Sequence, residues 1–187
     1  MMTMERSSDT KIILIDCDVI SHFISNYCLE DLPLILTPHQ CTILDYVYNE
    51  VDFHPVRLAF VDNLIKKGNL LFMNFPNDDI NIKREFARIK QSNHLIGDGE
   101  RACMAVAKFN KNIIASSNFR DVAPYCERNK IYYLGTLDIL SVAVNKGIYD
   151  EKKCDDFIQN ALKYNKARFP NGVTQMRYYV PKDLSFL

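Results

Sequence analysis

No two of the six cysteines in this 187-residue chain form a CxxC pair, and the four histidines stand at unrelated spacings. A zinc site needs Cys or His at close, regular intervals, so zinc chemistry has no support here. The cysteines (Cys17, Cys28, Cys41, Cys103, Cys126 and Cys154) sit mostly in apolar company and read as reduced, buried thiols of a cytoplasmic protein. No apolar run approaches the ~20 residues of a membrane span, so no membrane partner is expected. The opening MMTMERSSDT has acids and no apolar centre, unlike a signal or transit peptide. An excess of one charge is also missing: Lys plus Arg and Asp plus Glu each number 23. Net charge therefore gives no pointer to nucleic acid, but it leaves room for an acidic centre balanced by a basic rim. There is no repeat, low-complexity tract or linker to divide the chain.

What is present is an ordinary globular composition, 48% hydrophobic and 25% charged, in a chain long enough for one real core. Residues 12–15 (IILI) form a continuous aliphatic run, the pattern of a parallel strand covered on both faces. Strands are also expected at NLLFMNF, NIIASS and KIYYLG. Helices are expected at VISHFISNYC, HQCTILDYVYNEV, VRLAFVDNLIKKG, NDDINIKREFARIKQ, ERACMAVAKFN and YDEKKCDDFIQNALKYN. TLDILSVAVNKG reads as a helix capped by Thr136 and closed by Gly147. LPLILTP, between prolines, reads as extended, and NFRDVAPYC as a short helix or turn. Strands alternating with helices argue an α/β fold: one domain whose central, mainly parallel sheet of four or five strands is flanked by helices. Residues 1–10 read as a loose leader, 11–147 as the main body, and 148–187 as a helix and tail packed on it.

Asp16 ends the first strand and Asn118 follows the IIASS strand. In an open parallel sheet, sites form beyond the carboxyl ends of strands, so both belong to one edge. Glu50 ends a helix, Glu100 opens another just after GDG, and Asp98 and Asp121 are near in sequence. Carboxylates converging without a lysine or arginine among them repel one another. A divalent cation removes that conflict, and hard oxygen donors favour Mg²⁺ or Mn²⁺. Such a centre suits hydrolysis of a phosphodiester. Each acid also has a plainer reading. Asp16 and Asp18 could cap the next helix, Asn118 could be an N-cap, Glu100 a first-turn acid, and Glu50 a solvent-facing helix residue.

The segments IILIDCDVI, YNEV, GDGERACMAVA and IIASSNFRDV, in that order, resemble the PIN-domain nucleases. The likeness is to the group with a G-x-G-E third motif and an alanine-rich helix, and GTLDIL is similar to that group's last strand-to-helix turn. The resemblance covers residues 11–147. It implies a single PIN-like domain and a metal-dependent endoribonuclease, with Asp16, Glu50 and Glu100 holding Mg²⁺ or Mn²⁺ and an attacking water. Ala105 and Ala107 fall at the family's helical positions, and Asp18 stands where members usually carry a small polar residue. Asn118 departs from the pattern, standing where the family has a fourth acid. An amide oxygen can coordinate but brings no charge, and Asp121 and Asp98 are the nearest acids to compensate. The resemblance further implies an RNA substrate, self-association as a homodimer, and in toxin–antitoxin systems a silencing antitoxin protein. Lys66, Lys67, Arg101, Lys111 and Arg120 are candidates for phosphate contacts; Arg101 and Arg120 adjoin the acids in sequence, whereas Lys66 and Lys67 are more in the manner of a solvated surface.

Two other readings stand beside this one. A catalytically degenerate PIN-like module would bind RNA or protein without cutting, as the Asn118 departure allows. A haloacid-dehalogenase-type phosphatase would use IDCDVI as its Asp-x-Asp motif and GDGE as its acid motif. There the Ser/Thr strand precedes the last acids, whereas here IIASSN follows GDGE.

Overall fold

The aliphatic runs assemble into one sheet. The computed structural model describes residues 10–52 and 55–187. All but the last residue of the expected leader, and His54, lie outside the described residues. Strands β1 (Ile12–Ile15), β2 (Gln40–Leu44), β3 (Leu71–Met73), β4 (Ile113–Ala115) and β5 (Tyr133–Leu134) pair in the order β3-β2-β1-β4-β5, all parallel. Around them lie α1 (Cys17–Ser25), α2 (Asp31–Leu36), α3 (Asp45–Asp52), α4 (Pro55–Lys66), α5 (Ile80–Ser92), α6 (Asp98–Asn110), α7 (Phe119–Asn129), α8 (Thr136–Asn145) and α9 (Glu151–Asn165). This is the single α/β domain expected from the alternation of elements.

The continuous aliphatic runs are explained by two-sided cover. Ile13, Leu14 and Ile15 of β1 and Ile113, Ile114 and Ala115 of β4 expose no surface. Each Ile or Leu so buried contributes about 1.5–3 kcal/mol of transfer free energy. β3 is an edge strand, and Leu71 and Phe72 are accordingly exposed. Helix α6 carries small residues where it must approach closely: Ala102, Cys103, Ala105, Val106 and Ala107 are fully buried, and the helix packs on α3 and α5.

Register then places the site. Ile13 lies opposite both Cys41 and Ile113, and Ile15 opposite Ala115. Asp16 and Ser116 therefore leave the sheet side by side, with Asp16 N donating to Ala115 O at 2.9 Å. The chain runs outward from β1 through β2 to β3, then returns to place β4 and β5 on the other side. The gap between β1 and β4 is thus a topological switch point, where open parallel sheets leave a crevice.

Three expectations need correction. Residues 32–38 are not extended: 32–36 belong to α2, whose first turn accepts Pro33 because no helical N–H bond is due there. Leu32, Ile35 and Leu36 bury one face of that helix. The stretch read as one helix from residue 39 to 51 divides at Asp45. Its first half is β2, and Asp45 Oδ1 starts α3 by accepting from Tyr46 N at 2.8 Å while also holding Phe75 N at 3.0 Å. A short apolar run does not distinguish strand from helix by period, and tertiary burial decided it. Finally, Thr136 does not cap α8. The N-cap is Gly135, whose N–H donates to Asp138 Oδ2 at 2.8 Å, and the Thr136 hydroxyl instead bonds His22 Nδ1 at 2.9 Å and Ser117 Oγ at 2.6 Å. Gly68 and Gly147 follow α4 and α8 with φ of 72° and 68°, the left-handed closure expected of them.

The last forty residues are held against the rest. Phe157 of α9 meets Phe23 edge-on at 4.9 Å, and Tyr179 Oη donates to the buried Asp138 at 2.6 Å. Phe186 stacks on Tyr132 at 4.4 Å. Among the described residues no helix is long and apolar enough to cross a membrane.

Candidate functional site

Two carboxylates share one hydroxyl at the switch point. Asp16, the N-cap of α1, accepts from Cys17 N through Oδ1 at 2.8 Å and from Ser116 Oγ through Oδ2 at 3.0 Å. Glu100, in the first turn of α6, faces the same Ser116 Oγ at 3.3 Å and accepts from Asn118 Nδ2 at 3.0 Å. Both acids are buried. The plain and the functional readings of Asp16 are therefore compatible, since one oxygen caps the helix while the other looks into the site.

Asp18 and Glu50 complete the acidic wall. Both oxygens of Asp18 accept from Ser117 N, at 3.0 and 3.2 Å, and Oδ1 also takes Val19 N. Held by main-chain donors, Asp18 is poorly suited to the mobile general-acid role that a phosphatase would ask of it. Glu50, from α3, accepts from Gly99 N at 2.8 Å. Asp16, Asp18, Glu50 and Glu100 all line one cleft of about 420 Å³, together with Arg57, Asn118 and the end of α9.

The electrostatics follow from burial and crowding. Burial is the largest influence on Asp16, Asp18, Glu50 and Glu100, and it raises each. Glu100 is pushed up to about 8 and Asp18 to about 6. Asp16 is driven well above the carboxylate range, with Asp18 and Glu100 adding to the effect of burial. Acids in this condition hold protons or need a cation. Among the described residues, no three His, Cys, Asp or Glu side chains are already drawn together as a metal cage. The donor set still fits a hard divalent ion, because Asp16 and Glu100 converge through Ser116 without a basic side chain between them.

The other expected residues have different surroundings. Asn118 turns its amide nitrogen to Glu100 and to Asp121, both at 3.0 Å, and so separates two acids as a donor. Asp121 also accepts from Asn93 Nδ2 at 3.0 Å and pairs with Arg120 at 3.4 Å; it touches the cleft only through Asn118 and does not line it. Asp98 is exposed and ion-paired to Arg101. Arg101 is buried, bound to Asp98 and to His94 O, and does not line the cleft. Neither Arg101 nor Arg120 lines the cleft, each being paired with a neighbouring Asp, and Lys67 pairs with Glu30. Sequence reasoning missed Arg57 and the end of α9, and it passed over Ser116 and Ser117, which follow IIA at the strand tip. A polar pair just beyond a buried strand was the available signal.

Gly99 is small for a reason. A Cβ there would lie 2.8 Å from Glu50 Oε2 and 3.0 Å from Val47 Cγ2. We expect Gly99→Ala to displace the Glu50 carboxylate and weaken Mn²⁺ binding roughly tenfold or more. Ala gains up to about 1 kcal/mol over Gly in a helix, which offsets part of the crowding, so the Tm should change little. Calorimetric titration beside thermal unfolding checks both halves. Unchanged affinity would mean that Glu50 does not help to hold the ion. Comparison with protein-family models and with curated proteins finds no match to the chain.

Proposed function

We propose that this protein is a divalent-metal-dependent endoribonuclease of the PIN type. The observation that carries the reading is the convergence of Asp16 and Glu100 on Ser116 at the switch point of a parallel sheet, with neither acid in an ion pair among the described residues. Asp16 and Glu100 would hold Mg²⁺ or Mn²⁺, with Glu50 beside them. Bound there, the ion supplies Lewis-acid polarisation of a phosphoryl oxygen and offsets charge that develops on it. Ser116 fixes the spacing of Asp16 and Glu100, and the Asn118 amide orients Glu100. Ser117 N anchors Asp18, which keeps the acidic wall rigid. We assign to Glu50 the proton given up when water attacks phosphorus and the P–O bond to the leaving nucleotide breaks. Arg101 and Arg120 stand outside this assignment because both are engaged elsewhere. A cytoplasmic setting agrees with six free thiols among the described residues. An antitoxin protein and a homodimer remain proposals that rest on the resemblance alone.

Incubating the protein with a mixed, structured RNA in Mn²⁺, Mg²⁺ or EDTA tests the proposal. Internal cleavage with either ion and none in EDTA is the expected result. A second reading, a degenerate module that binds RNA or protein without cutting it, is favoured by one observation. Asn118 bridges two acids as a donor where the family resemblance calls for a fourth carboxylate. RNA left intact by folded protein in all three buffers would select that second reading.

A further inference from the structure

Arg57, near the start of α4, and Tyr164 and Asn165, at the end of α9, line the same cleft as the acids. They come from segments far apart in the chain that meet over α1. Arg57 Nη1 donates to Ser21 Oγ at 3.3 Å, and Asn165 Nδ2 donates to Ser21 O at 3.3 Å. Ser21 thus fixes both walls relative to Asp16, five residues before it on the same helix.

Arg57 is a cation in a cleft lined by four carboxylates, yet among the described residues it forms no ion pair with any of them. One weak hydrogen bond to a serine leaves most of its donors unused. A guanidinium in that condition matches a phosphate oxygen by both charge and geometry. Tyr164 is 59% exposed on the opposite segment, with Lys163 Nζ 4.9 Å from its ring centre. A ring on a cleft wall with so little packing to do offers a face on which a base can stack. Arg57 also borders a second groove, where Tyr27 is 92% and Phe60 43% exposed. One cation therefore stands where the acidic cleft passes into an aromatic surface.

We infer that Arg57 and Tyr164 form a nucleotide subsite beside the carboxylates, with Arg57 taking a backbone phosphate and Tyr164 stacking the adjoining base. The inference rests on the ribonuclease reading and gives α9 a function: it supplies a substrate wall that the sheet alone does not provide. Both residues act in binding. Neither touches the bond that breaks.

The experiment is steady-state cleavage of a labelled single-stranded oligoribonucleotide in Mn²⁺ by wild type, Tyr164→Ala, Tyr164→Phe and Arg57→Gln, repeated across a salt series. Loss of one stacked base should raise KM about tenfold for Tyr164→Ala with kcat nearly unchanged, and Tyr164→Phe should restore the wild-type KM. Arg57→Gln should reduce the slope of log(1/KM) against log salt by about 0.7, the value of one phosphate contact on a single strand. An active wild type whose KM is matched by Tyr164→Ala, or whose salt slope is matched by Arg57→Gln, overturns the subsite and leaves the ribonuclease reading standing. A wild type that cuts no RNA overturns the parent reading and the subsite with it.

Discussion

Asp16→Asn and Glu100→Gln should each abolish metal-dependent RNA cleavage, with a loss on the order of 10³-fold or more in kcat/KM. Both substitutions remove charge and keep shape. Asn at 16 still accepts from Cys17 N, so the cap of α1 survives, and Gln at 100 retains an oxygen for Asn118. Failure of activity in these variants therefore reports on the charge at the switch point and not on collapse of the fold. Asn118→Asp is the informative partner. It removes the donor between Glu100 and Asp121 and adds a third carboxylate in its place. In EDTA its Tm should fall below wild type, and in Mn²⁺ its affinity for the ion should rise. Activity that survives Asp16→Asn within about tenfold would remove Asp16 from the reaction.

The second large effect is on stability against pH. Glu100 moves from an ordinary 4.5 up to about 8, Asp18 up to about 6, and Asp16 well above its usual range, all led by burial. Between pH 4.5 and about 8 the metal-free folded protein therefore holds more protons than the unfolded chain. Stability is whole below the unfolded values and drains away as pH rises through that window. The expected result is a metal-free Tm that falls by several degrees between pH 5 and pH 8. On the proposed metal-centre reading a divalent ion would take the place of those protons, so stabilisation by Mn²⁺ should be small at pH 5 and large at pH 8. Glu100→Gln should flatten the metal-free profile and raise its Tm at pH 8 above wild type. A wild-type Tm that climbs or stays level from pH 5 to 8 in EDTA would show the acids to be solvated or already paired.

How much of this was legible in the chain depends on which interactions are local. IILI and NIIASS announced themselves as strands because burial on both faces leaves an unbroken aliphatic run. The small residues of α6 were read as close packing for the same reason. β2 was hidden: Cys41 to Leu44 is as apolar as a helical stripe, and only pairing with β1 makes it a strand. Asp16 was legible because a carboxylate at a strand tip needs a partner. Asp98, Arg101, Asp121 and Arg120 were chosen for nearness in sequence. The turn of α6 brings Arg101 back onto Asp98, and Arg120 stays with its neighbour Asp121. Arg57 and Tyr164 carried no local signal, because only the packing of α9 on α1 brings them to one cleft.

The most direct measurement is calorimetric titration of metal-free protein with Mn²⁺ at pH 8, in parallel with Asp16→Asn and Glu100→Gln. A saturable site in the wild type, weakened more than about tenfold in both variants, is the result expected if Asp16 and Glu100 together hold the ion. Folded wild-type protein that binds no Mn²⁺, or variants that bind it as well as wild type, would contradict a metal centre at these acids.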